Sequence, residues 1–364
     1  MKKILYLCAA ILIAIKALGQ IKKETMYPPV ELKGTQLIKF NSAINHHDYE
    51  IYIELPASYR DSINKKYPVL YILDGQWFFP QTLAIGGGLR YEGFIPEMIV
   101  VGIGWPDNYN ANRNRDFLPA VIEDSSNKGG GSAKFLSVVK NEIMTFVDSV
   151  YRSDKQNNAL QGESGGGNFA LYSLFHDPLL FNKYIISCPD LDYDDGILFK
   201  YEKAFSENHH TLNARIFFTS SEYEMEINPS GPYDKFIQQI KASNYHGLEM
   251  ENIIVEKMGH ATQNAYALGR GLQFVFNRPD IMPDTTLLDK YTGHYEQGLF
   301  FIRIGHSLYL NNANFKIKLH AETNEKFYVM GAAGTGEFRK DEKGKVIAYD
   351  ISNNGQLISI KKID

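Results

Sequence analysis

The stretch Asn158-Ala159-Leu160-Gln161-Gly162-Glu163-Ser164-Gly165-Gly166-Gly167-Asn168-Phe169 reads as a short strand, a tight turn and the first turn of a helix. Asn158–Gly162 has the strand signature. The three glycines open a helical pattern through Phe169, Leu171 and Leu174 that Pro178 stops. Between them lies G-x-S-x-G. A serine held on so sharp a strand-to-helix turn needs small neighbours because the backbone there is strained, and the helix N-terminus behind it favours negative charge at a reacting carbonyl. Ser164 is therefore the candidate nucleophile.

Working outward, 48–276 alternates β-rich runs with helical patterns, the signature of a largely parallel sheet covered by helices. The expected strands are Tyr49–Leu55, Pro68–Leu73, Met98–Gly104, Asn158–Gly162, Tyr184–Ser187, Arg215–Thr219 and Asn252–Lys257. Continuous apolar runs such as Val69-Leu70-Tyr71-Ile72-Leu73 suit strands buried on both faces. Ala133–Tyr151 places Phe135, Val139, Ile143, Phe146 and Val150 on one helix face.

A serine nucleophile needs a base and an acid, which in the α/β-hydrolase fold follow it in the order acid, histidine. His260 directly follows the last expected strand. His176 falls inside a helix, and His209, His210 and His246 lie in polar connections. The acid is sought after the strand ending at Ser220-Ser221, where Glu222, Glu224 and Glu226 follow, and this reading leaves all three open.

Beyond Phe276 the texture changes. Asn277-Arg278-Pro279 and Pro283-Asp284 look like connecting chain, followed by short β runs at Leu299–Ile304, Ser307–Leu310, Lys316–Leu319, Lys326–Val329, Lys345–Tyr349 and Leu357–Ile360. The expected organisation is a leader over 1–19, an α/β domain over 20–278, a linker over 279–286 and a small β-sandwich or barrel over 287–364. Lys2 and Lys3 before an apolar run from Ile4 to Ile15 are the mark of a cleaved signal peptide, so a periplasmic or secreted protein is expected. The net charge of −4 comes without Lys/Arg blocks, which excludes nucleic acid as the expected partner. No clustered Cys/His set signals a metal, and a serine mechanism needs neither metal nor cofactor.

The residues resemble the esterase family related to esterase D, which includes siderophore, feruloyl and acetyl-xylan esterases and mycolyltransferases. The resemblance runs over about 48–276. It is carried by Tyr67–Gly75, Val101-Gly102-Ile103, Arg113–Pro119, Gly130-Gly131, Tyr151-Arg152, Gly162–Gly166, Ser187-Cys188-Pro189 and Gly259-His260. It implies Ser164 as nucleophile, His260 as base and Glu224 as acid, with Glu222 in reserve. It also implies an oxyanion hole from the Gly165 amide and one amide of the Asp74–Trp77 turn, Gln76 being the candidate. Glu163 stands where the family commonly has His or Tyr. The β-rich tail resembles the lipocalin-like domains attached to some bacterial serine hydrolases.

Trp77, Trp105 and Arg113 are the candidate substrate-binding residues. Aromatic walls suit an aryl acyl group, a sugar ring or a catecholate, and Arg113 suits an anion or an ion pair with Asp107 or Asp116. The expected activity is carboxylic-ester hydrolysis of a carbohydrate-linked or siderophore-type ester. Acyl transfer by the same residues, or a binding protein on a hydrolase scaffold, are the alternatives.

Overall fold

The computed structural model describes residues 27, 30–121, 129–227, 231–332, 334–353 and 356–363. Gly34–Asp364 form one compact unit, separate from Met1–Lys33. The leader-like 1–19 lies outside the described residues. Among the described residues, no helix is long and apolar enough to cross a membrane.

The first sheet has eight strands: β1 (Thr35–Asn41), β2 (Asp48–Glu54), β3 (Tyr67–Leu73), β4 (Ile99–Gly104), β5 (Ser153–Glu163), β6 (Lys183–Ser187), β7 (Thr211–Ser221) and β8 (His246–Val255). Their order is β1-β2-β4-β3-β5-β6-β7-β8. β2 pairs antiparallel with both β1 and β4 and the other pairs are parallel, which is the α/β-hydrolase arrangement. Period-two alternation divides the apolar runs between two layers. Val69, Tyr71, Leu73, Ile186 and Phe218 face a core shared with Phe135 and Phe169. Leu70, Ile72, Ile185 and Phe217 face the other, with Phe79, Leu272 and Phe276.

The expected Ala133–Tyr151 helix is three continuous pieces, Ser132–Val138, a π-helical Val139–Met144, and Thr145–Val150. The sequence reading misses the Gly75–Tyr91 helix, because Pro80 and the run Gly86-Gly87-Gly88 are poor helix formers; packing of Phe79 beneath the sheet overrides that propensity. It also misses β1, a half-exposed edge strand without a clean apolar period.

The second sheet is an antiparallel meander: β9 (Gly293–Tyr295), β10 (Leu299–Ile304), β11 (Ser307–Asn311), β12 (Lys316–Ala321), β13 (Lys326–Tyr328), β14 (Thr335–Lys340), β15 (Val346–Asn353) and β16 (Gln356–Lys361). A bridge between Tyr295 and Lys362, with the Ile363 amide donating to the His294 carbonyl at 2.8 Å, brings the last strand back to the first. The sheet is thus a barrel, the architecture that leaves no open edge.

Aromatic side chains fill its interior. Tyr291 stacks on Phe338 at 4.0 Å and Phe301 meets Tyr349 at 4.9 Å. Leu288 and Tyr291 come from a short helix, Thr285–Tyr291, that begins within the stretch read as linker and is capped by the Asp284 carboxylate. The barrel abuts the α/β part through Arg278, which donates to the Gly93 carbonyl at 3.2 Å and lies 3.8 Å over the Tyr328 ring.

Gly336 has no room for a side chain, since a Cβ would come within 1.9 Å of the buried Tyr349 ring. Gly336→Ala is expected to overpack the barrel and cost about 1–3 kcal/mol. Chemical denaturation followed by tyrosine fluorescence checks this, and an unchanged midpoint contradicts it.

Candidate active site

Every functional side chain leaves the same edge of the first sheet. Register explains this: Glu163 pairs with Ser187, Ser187 with Thr219 and Ser221 with Val255, so the turns after β5, β6, β7 and β8 emerge side by side. This carboxyl edge is where open α/β sheets place their ligands.

After β5 the chain turns through Ser164 at φ 55° and ψ −122°, a strained region for a non-glycine residue. Gly162 makes the turn possible, because a Cβ there would lie 2.2 Å from the Gly166 carbonyl oxygen. The Ser164 amide donates to the Ser187 carbonyl at 2.9 Å, and the Asn168 amide to the Ser164 carbonyl at 3.0 Å. Gly165 opens the Gly165–His176 helix, whose first amides have no partner within the helix.

After β3 the same device recurs. Asp74, at φ 55°, precedes the Gly75–Tyr91 helix, and its fully buried carboxylate accepts from the Tyr109 hydroxyl at 2.7 Å and from Arg113 Nε at 3.0 Å. Arg113 Nη2 also donates to the Glu163 carbonyl at 3.0 Å. One guanidinium thus straps the Gly75-Gln76 helix start to the Ser164 turn, the two elements expected to supply oxyanion donors. Burial pushes the Asp74 carboxyl above its usual range against the pull of Arg113. The Gln76 side chain packs against Gly104, where a Cβ would meet its Oε1 at 2.3 Å.

His260 and Glu224 meet, with Nδ1 to Oε1 at 2.5 Å. Burial alone would raise Glu224, but hydrogen bonds from His260 and the Cys188 thiol hold its carboxyl down at about 2. The bond to Glu224 in turn raises the His260 imidazole, against burial. Glu222 is engaged elsewhere, accepting from the Lys257 amide at 2.6 Å, and Glu226 is exposed. Ser164, Glu224 and His260, with Cys188, Pro189, Asp190, Met225 and Tyr233, line one cleft of about 330 Å³.

The substrate-binding candidates fare differently. Trp77 is 55% exposed and its ring lies 4.0 Å from that of Tyr109. Trp105 is buried and its indole N–H donates to Asp116 at 2.9 Å, so it packs beneath the site rather than walling it. Arg113 pairs with Asp74, not with Asp107 or Asp116; Asp116 is bound by Arg115. The reason is depth, since Arg113 lies over the Phe117 ring with its fork turned inward.

Sequence reasoning missed a buried polar layer under the cleft. Thr219 Oγ1 donates to Gln263 Oε1 at 2.7 Å, Gln263 Nε2 donates to Ser187 Oγ, and Gln161 Nε2 donates to Asn264 Oδ1 at 3.2 Å. These bonds fix the loop carrying His260 to the strands that lead into Ser164, Cys188 and Glu224. Isolated polar residues in apolar runs were the only trace of it in the sequence.

Glu163 is 3% exposed and one of its carboxyl oxygens has no partner. Burial, then the Asp74 and Glu224 charges, outweigh His260 and Arg113 and raise it to about 8. A native pKa above the unfolded value means stability present at low pH and lost as pH rises through about 8. Wild type is therefore expected to lose stability relative to Glu163→Gln between about pH 5 and about pH 9. Denaturation midpoints of both proteins at the two pH values measure this, and parallel curves contradict it.

Residues 42–217 match the family described as "Putative esterase". The siderophore triacetylfusarinine C esterase of Aspergillus fumigatus is 29% identical over 166 residues, 44% of this chain and 57% of that protein. The siderophore enterobactin esterase of Emericella nidulans is 26% identical over 181 residues, 43% of this chain and 58% of that protein. The chain thus spans somewhat over half the length of these curated relatives. Among solved structures, the BES protein of Bacillus cereus superposes with a TM-score of 0.60 at 23% identity, covering 70% of this chain and 99% of that one, a likeness of fold. The α/β part of this chain is accordingly similar to the esterase family over residues 42–217, with siderophore esterases among its sequence relatives.

Proposed function

We propose that the protein hydrolyses carboxylic esters through an acyl-serine intermediate, with Ser164 as nucleophile, His260 as general base and Glu224 as the acid that orients it. The observation that carries this reading is the 2.5 Å contact between His260 and Glu224 in the cleft that Ser164 lines from its strained turn. His260 takes the proton from the Ser164 hydroxyl as Oγ attacks the ester carbonyl, and Glu224 stabilises the imidazolium. The Gly165 and Gln76 amides, each at a helix start, stand for the oxyanion donors. His260 then gives the proton to the departing alkoxide, and water, activated in the same way, releases the acid.

The names of the sequence relatives favour a siderophore-type ester as substrate. Trp77, exposed beside Tyr109, gives an aromatic surface suited to an aryl or catecholate group. We infer a protein exported by the leader over 1–19, with 20–278 as the catalytic domain, 279–286 as linker and 287–364 as an accessory domain. The packed barrel interior favours a surface role for that domain over an enclosed ligand.

Ser164→Ala is expected to abolish both hydrolysis of a short p-nitrophenyl ester and labelling by a fluorophosphonate, and undiminished turnover overturns the assignment. Comparing a siderophore ester, a feruloyl sugar and an acetylated oligosaccharide ranks the substrates, the siderophore being expected to give the highest kcat/KM.

The acid limb of the rate profile reports His260, which Glu224 raises. Glu224→Gln is expected to lower kcat and move that limb to lower pH. A limb that stays in place would exclude Glu224 as the partner of the base.

A further inference from the structure

Cys188 borders the proposed triad, its thiol donating to the Glu224 carboxylate. It sits at φ 42° on the turn after β6, with its amide donating to the Thr219 carbonyl at 2.8 Å, so the direction of its side chain is set by the backbone. Its sulfur, a carboxylate oxygen of Glu224 and a ring nitrogen of His260 all lie within 4.8 Å of one another. All three residues line the cleft, which gives an ion and its remaining water ligands a path in.

A second observation points the same way. The carboxyl of Glu163 is 3% exposed, has an unpartnered oxygen, and lies near enough for its charge to act on both Cys188 and His260. Asp190 lines the same cleft. The surroundings thus hold spare oxygen lone pairs.

One sulfur, one nitrogen and one carboxylate oxygen, with a side open to water, is the donor set of borderline and soft divalent ions such as Zn²⁺ and Cd²⁺. It is not that of Mg²⁺ or Ca²⁺, which take oxygen ligands. We propose that Cys188, Glu224 and His260 form a Zn²⁺-binding site superimposed on the triad, and that an ion bound there switches the enzyme off.

On binding, the Cys188 S–H bond breaks, its proton goes to solvent, and the sulfur lone pair forms the metal–thiolate bond. An ion on Nδ1 leaves the imidazole proton on Nε2, so that nitrogen can no longer accept from Ser164. An ion on Nε2 takes the lone pair directly. Either way the nucleophile has no base. The inhibition rests on the proposed serine mechanism; the binding does not.

The test uses the whole chain in a buffer free of chelators and thiols. Titration with Cd²⁺ is expected to give an ultraviolet sulfur-to-metal charge-transfer band that saturates at one ion per chain. Ser164→Ala should keep the band. Cys188→Ser should lose it and weaken Zn²⁺ binding, read by calorimetry, by more than about tenfold. His260→Ala supplies the second arm should Cys188→Ser not fold, and is expected to weaken Zn²⁺ to the same degree.

Zn²⁺ should stop ester turnover with the midpoint at which it binds, and EDTA should restore it. No stoichiometric band, or equal Zn²⁺ affinity in wild type and the ligand variants, overturns the site. Saturating Zn²⁺ with undiminished turnover overturns the switch. If the chain turns over no ester at all, the band still decides the site, so the two readings fail separately.

Discussion

The turn at 162–166 is the constraint around which the rest is arranged. A strand and a helix approach so closely there that Gly162 admits no Cβ, and Ser164 is left in a backbone region that ordinary residues avoid. Such strain persists only where neighbours over-determine it. Three do so: the Ser187 carbonyl holds the Ser164 amide, the Asn168 amide holds its carbonyl, and Arg113 holds the carbonyl of Glu163. The last bond is the most consequential, because the same guanidinium also binds the buried Asp74. A deeply placed ion pair therefore couples the Ser164 turn to the start of the Gly75–Tyr91 helix.

Burial of charge sets the character of the cleft. Asp74, Glu163 and Glu224 lie at this sheet edge, and each meets the cost of burial in its own way. Asp74 is matched by Arg113, Glu224 by the imidazole and the thiol, and Glu163 is displaced toward its neutral form. The carboxyls beside one histidine and one thiol underlie both proposals, proton transfer from Ser164 and binding of a divalent cation. Both follow from crowding at one sheet edge.

Beneath the cleft, the Thr219–Gln263–Ser187 and Gln161–Asn264 bonds join three strands to the Asn264–Val275 helix. His260 itself is in an exposed loop, and a mobile base would lose alignment with the serine. The buried polar layer anchors that loop at Gln263 and Asn264, three and four residues from His260, satisfying groups that would otherwise be costly to bury.

The sequence by itself determined the alternation of strand and helix, the serine turn, the chain order of Ser164, Glu224 and His260, and the break into short strands after Phe276. Each of these is a local signal, carried by apolar period, glycine placement or chain order. Only the tertiary structure decided which carboxylate faces His260, because Glu222 and Glu224 are two residues apart and differ in what they meet: the Lys257 amide or the imidazole. It likewise moved Arg113 and Trp105 from the expected substrate wall into the packing below. It also closed the β-rich tail into a barrel through a contact between its first and last strands. Cys188, Glu224 and His260 come together for the same reason. Contacts between residues far apart in the chain depend on how strands register across the sheet, which no local pattern encodes.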